Sequence, residues 1–182
     1  IYKERAQKIA DKSLELQIPT GELQGGFLRG FDTKHLVIPW YDALTAVCYE
    51  NIASIIGHQK YEESATETTA FLKNTISNKG LVHWFIKKDT WKKVNEPYLI
   101  APAGCVLSLF HRKKVKTNAN LLDTQQKNGA FPLASWYQDY RKIPNLGWNQ
   151  FMLMYLTEQA KKKVKVTTKQ EEITIKEDEK VV

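Results

Sequence analysis

One pattern, written three times along the chain, limits what this sequence can fold into. It is a helix with a single apolar stripe, then a long connection, then a helix that is apolar almost all round. In the first copy, residues 2–17 place Ala6, Ile9, Ala10, Ser13 and Leu16 on one face with charges between them, the period of a half-buried helix. A loop spans 18–38. A helix from Trp40 to Ile56 follows, rich in Ala, Leu, Val and Ile and stopped by Gly57, a natural C-terminal residue. The second copy reads 61–77 as the amphipathic helix, 78–96 as the loop and 97–112 as the apolar helix. Pro97 suits the first turn of that helix and Pro102 should delay or kink it. The third copy has a modest helix at 116–126, a loop at 127–144 and an apolar helix at 145–160.

Long connections alternate with short returns, so the helices alternate in direction and all three loops lie at one end. Loops beyond about 12–15 residues are uncommon unless they carry function. Amphipathic helices outside and apolar helices inside are what a double-layered helical barrel requires. The expected fold is therefore all-α, about three hairpins of an α/α toroid over residues 1–160. The tail, 161–182, has neither stripe nor turn chemistry and reads as solvated and disordered. A chain of 182 residues can bury a real core. It opens on Ile1 and is read as a fragment or a processed chain.

The net charge is +7, of which the tail's seven Lys against five acidic residues supply two. A basic body fits an anionic ligand, yet the Lys are scattered and line no aromatic loop, which argues against nucleic acid. No apolar run reaches the roughly 20 residues of a membrane span. Cys48 and Cys105 sit in apolar stretches and are expected to be buried free thiols. Phosphate-binding loops, zinc motifs and nucleophile elbows are absent, so no cofactor or metal is implied.

Chemistry-bearing side chains gather at the long-loop end. Trp40, Tyr41, Trp84, Trp136 and Tyr137 are flat faces on which sugar rings stack. Arg29 and Arg141 can grip a uronate carboxylate in bidentate fashion, and His35 and His83 can serve as acid, base or sugar ligand. Asp42, in the first turn of a buried helix between aromatics, is the leading candidate for a general acid, since partial burial would raise its pKa. Glycoside hydrolysis uses two carboxylates across a cleft, and Asp32, Glu96 and Asp139 are the candidate partners.

A helix ending in Gln-x-x-x-Gly, followed by Phe, recurs at Gln17–Gly21 with Phe27 and at Gln125–Gly129 with Phe131; the second copy offers only Asn78-Lys79-Gly80. Together with Trp40-Tyr-Asp-Ala-Leu-Thr-Ala46 opening the inner helix, this unit resembles the six-hairpin glycosidase group over residues 1 to about 160, half of a complete barrel. The resemblance implies a sugar cleft at the N-terminal ends of the inner helices. It implies Asp42 as the matched catalytic position, and Trp40, Tyr41 and Trp84 as cleft lining. Uronate-processing members of the group would suit a basic cleft, with an acidic oligosaccharide or polysaccharide as substrate. The Gln-x-x-x-Gly element also resembles the repeat of terpene cyclases, but no Asp-x-Asp-Asp motif follows. Three hairpins do not close a six-hairpin ring, so the remainder of the barrel, supplied by more chain or by another chain, is an expected partner. The alternative is a non-catalytic helical-repeat module that binds a glycan or a protein. A second carboxylate or a His facing Asp42 across a pocket would favour the enzyme, and its absence the module.

Overall fold

The computed structural model describes residues 1–32, 36–77, 80–83, 85–87, 98–117, 121–127, 129–132 and 149–160. The charged tail lies outside them. The described chain is mostly helical: α1 (Tyr2–Leu14), α2 (Pro39–Ile56), α3 (Gln59–Lys73), α4 (Ala103–Arg112) and α5 (149–160).

Each boundary has a local cause. Pro39 opens α2 at a position where its missing N–H costs nothing. Gly57 closes it at φ 79°, donating its N–H to Ala53 O. Only His58, extended, separates this cap from α3, so α2 and α3 run antiparallel in close contact. Buried Thr68 and Thr69 on α3 turn their hydroxyls back to the carbonyls of Ser64 and Ala65, which satisfies them inside the core. The helix expected from residue 97 begins only at Ala103. Tyr98–Leu99 (β4) pairs antiparallel with Val82–His83 (β2), and the helix starts after Pro102. From Ala103 to Phe110 every residue is buried. Glu50 of α2 accepts bonds from Lys113 at 2.6 Å and Arg112 at 3.5 Å, tying α2 to the C-terminal end of α4.

Of the helix expected at 116–126, the described residues show a 3-10 turn, Leu122–Thr124. Its sequence explains the shortfall. Asn and Thr compete for backbone hydrogen bonds, Thr124 caps Leu121 O with its own hydroxyl, and Leu121 is the residue that reaches the core.

The three long connections share a construction. After each outer segment the chain makes one tight turn closed by two backbone bonds. In the first copy these are Ile18 N–H to Gly26 O and Gly25 N–H to Ile18 O; in the second, Ser77 to Leu81 and Gly80 to Ser77; in the third, Gln126 to Ala130 and Gly129 to Gln126. The glycine sits at φ 85°, 82° and 83° respectively, a region that only Gly enters without penalty. The sequence motif therefore marks a turn rather than a helix end. Its first-copy glycine is Gly25 rather than Gly21, because four extra residues intervene.

Strands then lead the chain back. Leu28 bridges Val37 in the first loop, as β2 pairs with β4 in the second. Leu36–Val37 (β1) pairs with Ile86–Lys87 (β3), which joins loop one to loop two. Ala101 donates its N–H to Pro132 O, which brings the third loop to the start of α4. The described parts of all three loops thus lie at one end, as the alternation of helix direction requires.

Candidate functional site

At that end the first turn is latched to the inner helix. Phe27 N–H donates to Asp42 Oδ2 at 3.2 Å. Phe27 itself is buried, with its ring edge-on to Tyr49 at 5.6 Å. The third copy repeats the device with an amide: Phe131 N–H donates to Asn149 Oδ1 at 2.8 Å, and Asn149 Nδ2 reaches back to Phe131 O at 3.4 Å. Asp42 is 2% exposed. Burial pushes its carboxyl well above the usual carboxylate range, and the Phe27 N–H opposes that shift. The expected partial burial is thus nearly complete: one carboxyl oxygen meets backbone, and the residue also lines the groove above. The signal for this latch was present in the sequence as Gly-x-Phe followed by Asp or Asn in the first turn of the next inner helix.

The groove above the latch runs between α1 and α2. It encloses about 580 Å³ and is lined by Ile9, Ala10, Ser13 and Leu16 from α1, Phe27–Arg29 and Ile38 from the loop, and Tyr41, Asp42, Leu44, Thr45, Cys48, Tyr49 and Ile52 from α2. Its floor is tied by Tyr49 Oη, which shares a 2.6 Å hydrogen bond with Ser13 Oγ and donates to Ala10 O. Burial pushes the Tyr49 phenol up to about 12. Asp42 is the one carboxylate in the lining, and no imidazole joins it among the described residues.

Of the other candidates, Tyr41 is half exposed at the groove mouth and Arg29 is exposed on its rim. Trp40 is buried, packed on Tyr41 at 3.9 Å and Phe151 at 5.4 Å. It joins α2 to α5 inside the core and is absent from the lining of the groove among the described residues. His83 is buried on β2, away from the groove lining, and Asp32 is exposed. His35, Trp84, Glu96, Trp136, Tyr137, Asp139 and Arg141 lie outside the described residues.

Two expectations about burial need correction. Cys105 is buried, and that burial pushes its thiol up to about 12, but Cys48 is exposed. Ile9, placed on the buried stripe, is 71% exposed, and Ile55 on α2 is 65% exposed. The cause is the same for Ile9 and Cys48: both face the open groove, whereas the far side of α2 is covered by α3 and α4.

A larger hollow, about 910 Å³, lies at the opposite end, where Glu50, Glu62, Glu63, Glu67, His58 and Lys113 surround it. Glu62, Glu63 and Glu67 are exposed, and no metal-binding group of His, Cys, Asp or Glu occurs among the described residues. No described helix is long and apolar enough to cross a membrane. Comparison with protein-family models, curated proteins and solved structures finds no match to this chain.

Proposed function

We propose that this chain is a helical-repeat binding module, three hairpins of an α/α toroid-like array, whose contact surface is the groove between α1 and α2. The observation that carries this reading is the groove's chemistry. Its walls are Ile9, Leu16, Leu28, Leu44 and Ile52, and the one carboxylate in the described lining accepts from a backbone N–H. Glycosidic chemistry asks for a facing pair of carboxyl groups, and the described lining supplies no second one. A long apolar trough flanked by two helices suits the apolar face of a third helix. The three repeated turns support the toroid-like arrangement, with the resemblance to six-hairpin glycosidases confined to that architecture.

Cys48 provides the test. It is exposed in the groove while Cys105 is buried, so alkylation of the native protein reports on groove occupancy. The probe is a synthetic peptide of residues 39–56 carrying Cys48→Ser, the segment that packs against both α3 and α4 within the chain. Slower alkylation of Cys48 with rising peptide is the expected result. Protection by acidic oligosaccharides and not by peptide, lost in Tyr41→Ala, would overturn the reading in favour of a glycan site.

A further inference from the structure

Among the described residues one interface between successive hairpins is complete, and each half of it recurs at a further edge without a described hairpin facing it. In the complete interface, α3 seats on the first hairpin through Tyr61 and Thr68. Tyr61 is fully buried, stacked near Tyr49 at 5.8 Å with its hydroxyl on Asp11 Oδ1. Thr68 donates to Gly25 O at 2.9 Å, and Gln17 Nε2 reaches Ser64 O and Thr68 Oγ1. Gly25 is pressed so close that a Cβ there would stand 2.4 Å from Glu67 O. The inner helix α2 fills the space between α3 and α4, which barely touch one another.

The shared turn and helix ends fix the register between α1 and α3: Leu14 matches Lys73, and Gln17 matches Ile76. In that register Tyr2 stands where Tyr61 does and Ile9 where Thr68 does. Both of the α3 residues are buried, whereas Tyr2 is 87% and Ile9 71% exposed. The α1/α2 groove is likewise the counterpart of the space that α2 occupies between α3 and α4. The other edge carries the receiving half. Gln125 donates to Gly129 O at 2.8 Å, as Gln17 reaches Gly25 O. Gly129 has nearly the φ of Gly25, 83° against 85°, yet among the described residues a Cβ there would meet Gln125 Nε2 alone, at 4.0 Å. The latch register, Asp42 with Asn149, puts Leu153, 63% exposed, at the position of fully buried Ala46.

We infer that the α1/α2 edge of one copy of this chain docks the Gln125–Gly129 turn and α5 edge of a second copy, head to tail. The inference rests on the groove-binding reading and names the occupant. α5 enters the groove as α2 enters the space between α3 and α4, and Tyr2 and Ile9 cover the second copy's turn. Such an interface is heterologous, with different patches meeting, and repeat arrays build themselves from this kind of nearest-neighbour contact.

The test is sedimentation equilibrium of the whole chain from micromolar to submillimolar concentration, with Ile9→Glu and Leu153→Glu, each on a different edge. Both positions are exposed, and thermal melts check that each variant stays folded. Wild type should self-associate, and each variant should weaken association about tenfold or more, as expected for a charge placed against an apolar surface. Mixing the two variants should restore a dimer, because each retains the edge the other has lost. A monomer at every concentration, or association that both variants leave intact, overturns the inference, as does failure of the mixture to associate. If the chain stays monomeric while the 39–56 peptide still protects Cys48, the second-copy inference falls and the groove reading stands; if the peptide also fails, both fall.

Discussion

Replacing Asp42 by Asn separates a structural acceptor from a catalytic acid. The side chain is 2% exposed, and burial holds its carboxyl well above the usual carboxylate range. In the unfolded chain an Asp loses its proton at about pH 3.9. Between that pH and the raised folded-state pKa, the native protein binds a proton that the unfolded one has released. Stability therefore falls as pH rises through this window, by about 1.4 kcal/mol per pH unit, and stays low above it. An amide accepts the same bond from Phe27 N–H and has no proton to lose, as Asn149 does for Phe131. Asp42→Asn should therefore remove this slope and be more stable than wild type at neutral pH. Each 1.4 kcal/mol gained raises the melting midpoint by about 3–6 °C in a chain of this size. Asp42→Ala leaves the Phe27 N–H buried without that acceptor and should cost about 1–3 kcal/mol. Chemical denaturation of the three proteins from about pH 4 to about pH 8 measures all of this. An Asn variant less stable than wild type at neutral pH, or a pH slope common to both, would refute the argument. The first outcome would show an ionised carboxylate at this position and return Asp42 to the candidates for acid or base; the second would place the titrating group elsewhere.

The two thiols should differ sharply. One alkylating equivalent should react quickly with the native protein, at Cys48, and the second only after unfolding, because Cys105 is buried and its pKa is pushed up to about 12; two fast equivalents would contradict the packing of α4. Tyr49, with its phenol pushed up to about 12, keeps its proton in the folded state above the ordinary tyrosine value near 10. Its contribution therefore falls as pH rises through that interval, and Tyr49→Phe should flatten the alkaline arm of the stability profile while costing about 0.5–1.5 kcal/mol at neutral pH. Gly25→Ala and Gly129→Ala share a left-handed backbone cost of about 1–2 kcal/mol. Only Gly25→Ala also drives a methyl into the α3 backbone, so it should cost about 1–3 kcal/mol more by denaturation; equal costs would mean that the turn does not press on α3.

The helices were legible because their signals are local. Gly57 stops α2 as read, and the 3.6-residue stripe read over 61–77 is α3, which ends at Lys73. The end at which the loops meet followed from the alternation of helix direction. What could not be read was which apolar faces are covered. Ile9 and Ala10 look alike in periodicity, yet one is 71% exposed and the other 1%, because coverage depends on which neighbour exists. The start of α4 was misplaced since Tyr98–Leu99 can read as helix or strand, and only its pairing with Val82–His83 decides. Asp42 was singled out as a candidate general acid; the structure gives it a main-chain N–H fifteen residues away, and the trace of that contact in the sequence is the Gly-x-Phe followed by Asp or Asn that two copies share.

The same latch occurs twice in this chain with two chemistries, and the comparison separates geometry from charge. Phe27 and Phe131 each follow a left-handed glycine by two residues, and each N–H points at the first turn of the next inner helix. Where the acceptor is Asn149, the amide also returns a bond to Phe131 O, so both polar atoms of its side chain are used. Where it is Asp42, one oxygen accepts, and the carboxyl must keep its proton to remain buried at low cost. A position that holds Asp in the first copy and Asn in the third needs only an acceptor for this latch. On the proposed reading Asp42 serves as that acceptor, its raised pKa follows from burial, and the groove above it would bind through its apolar walls.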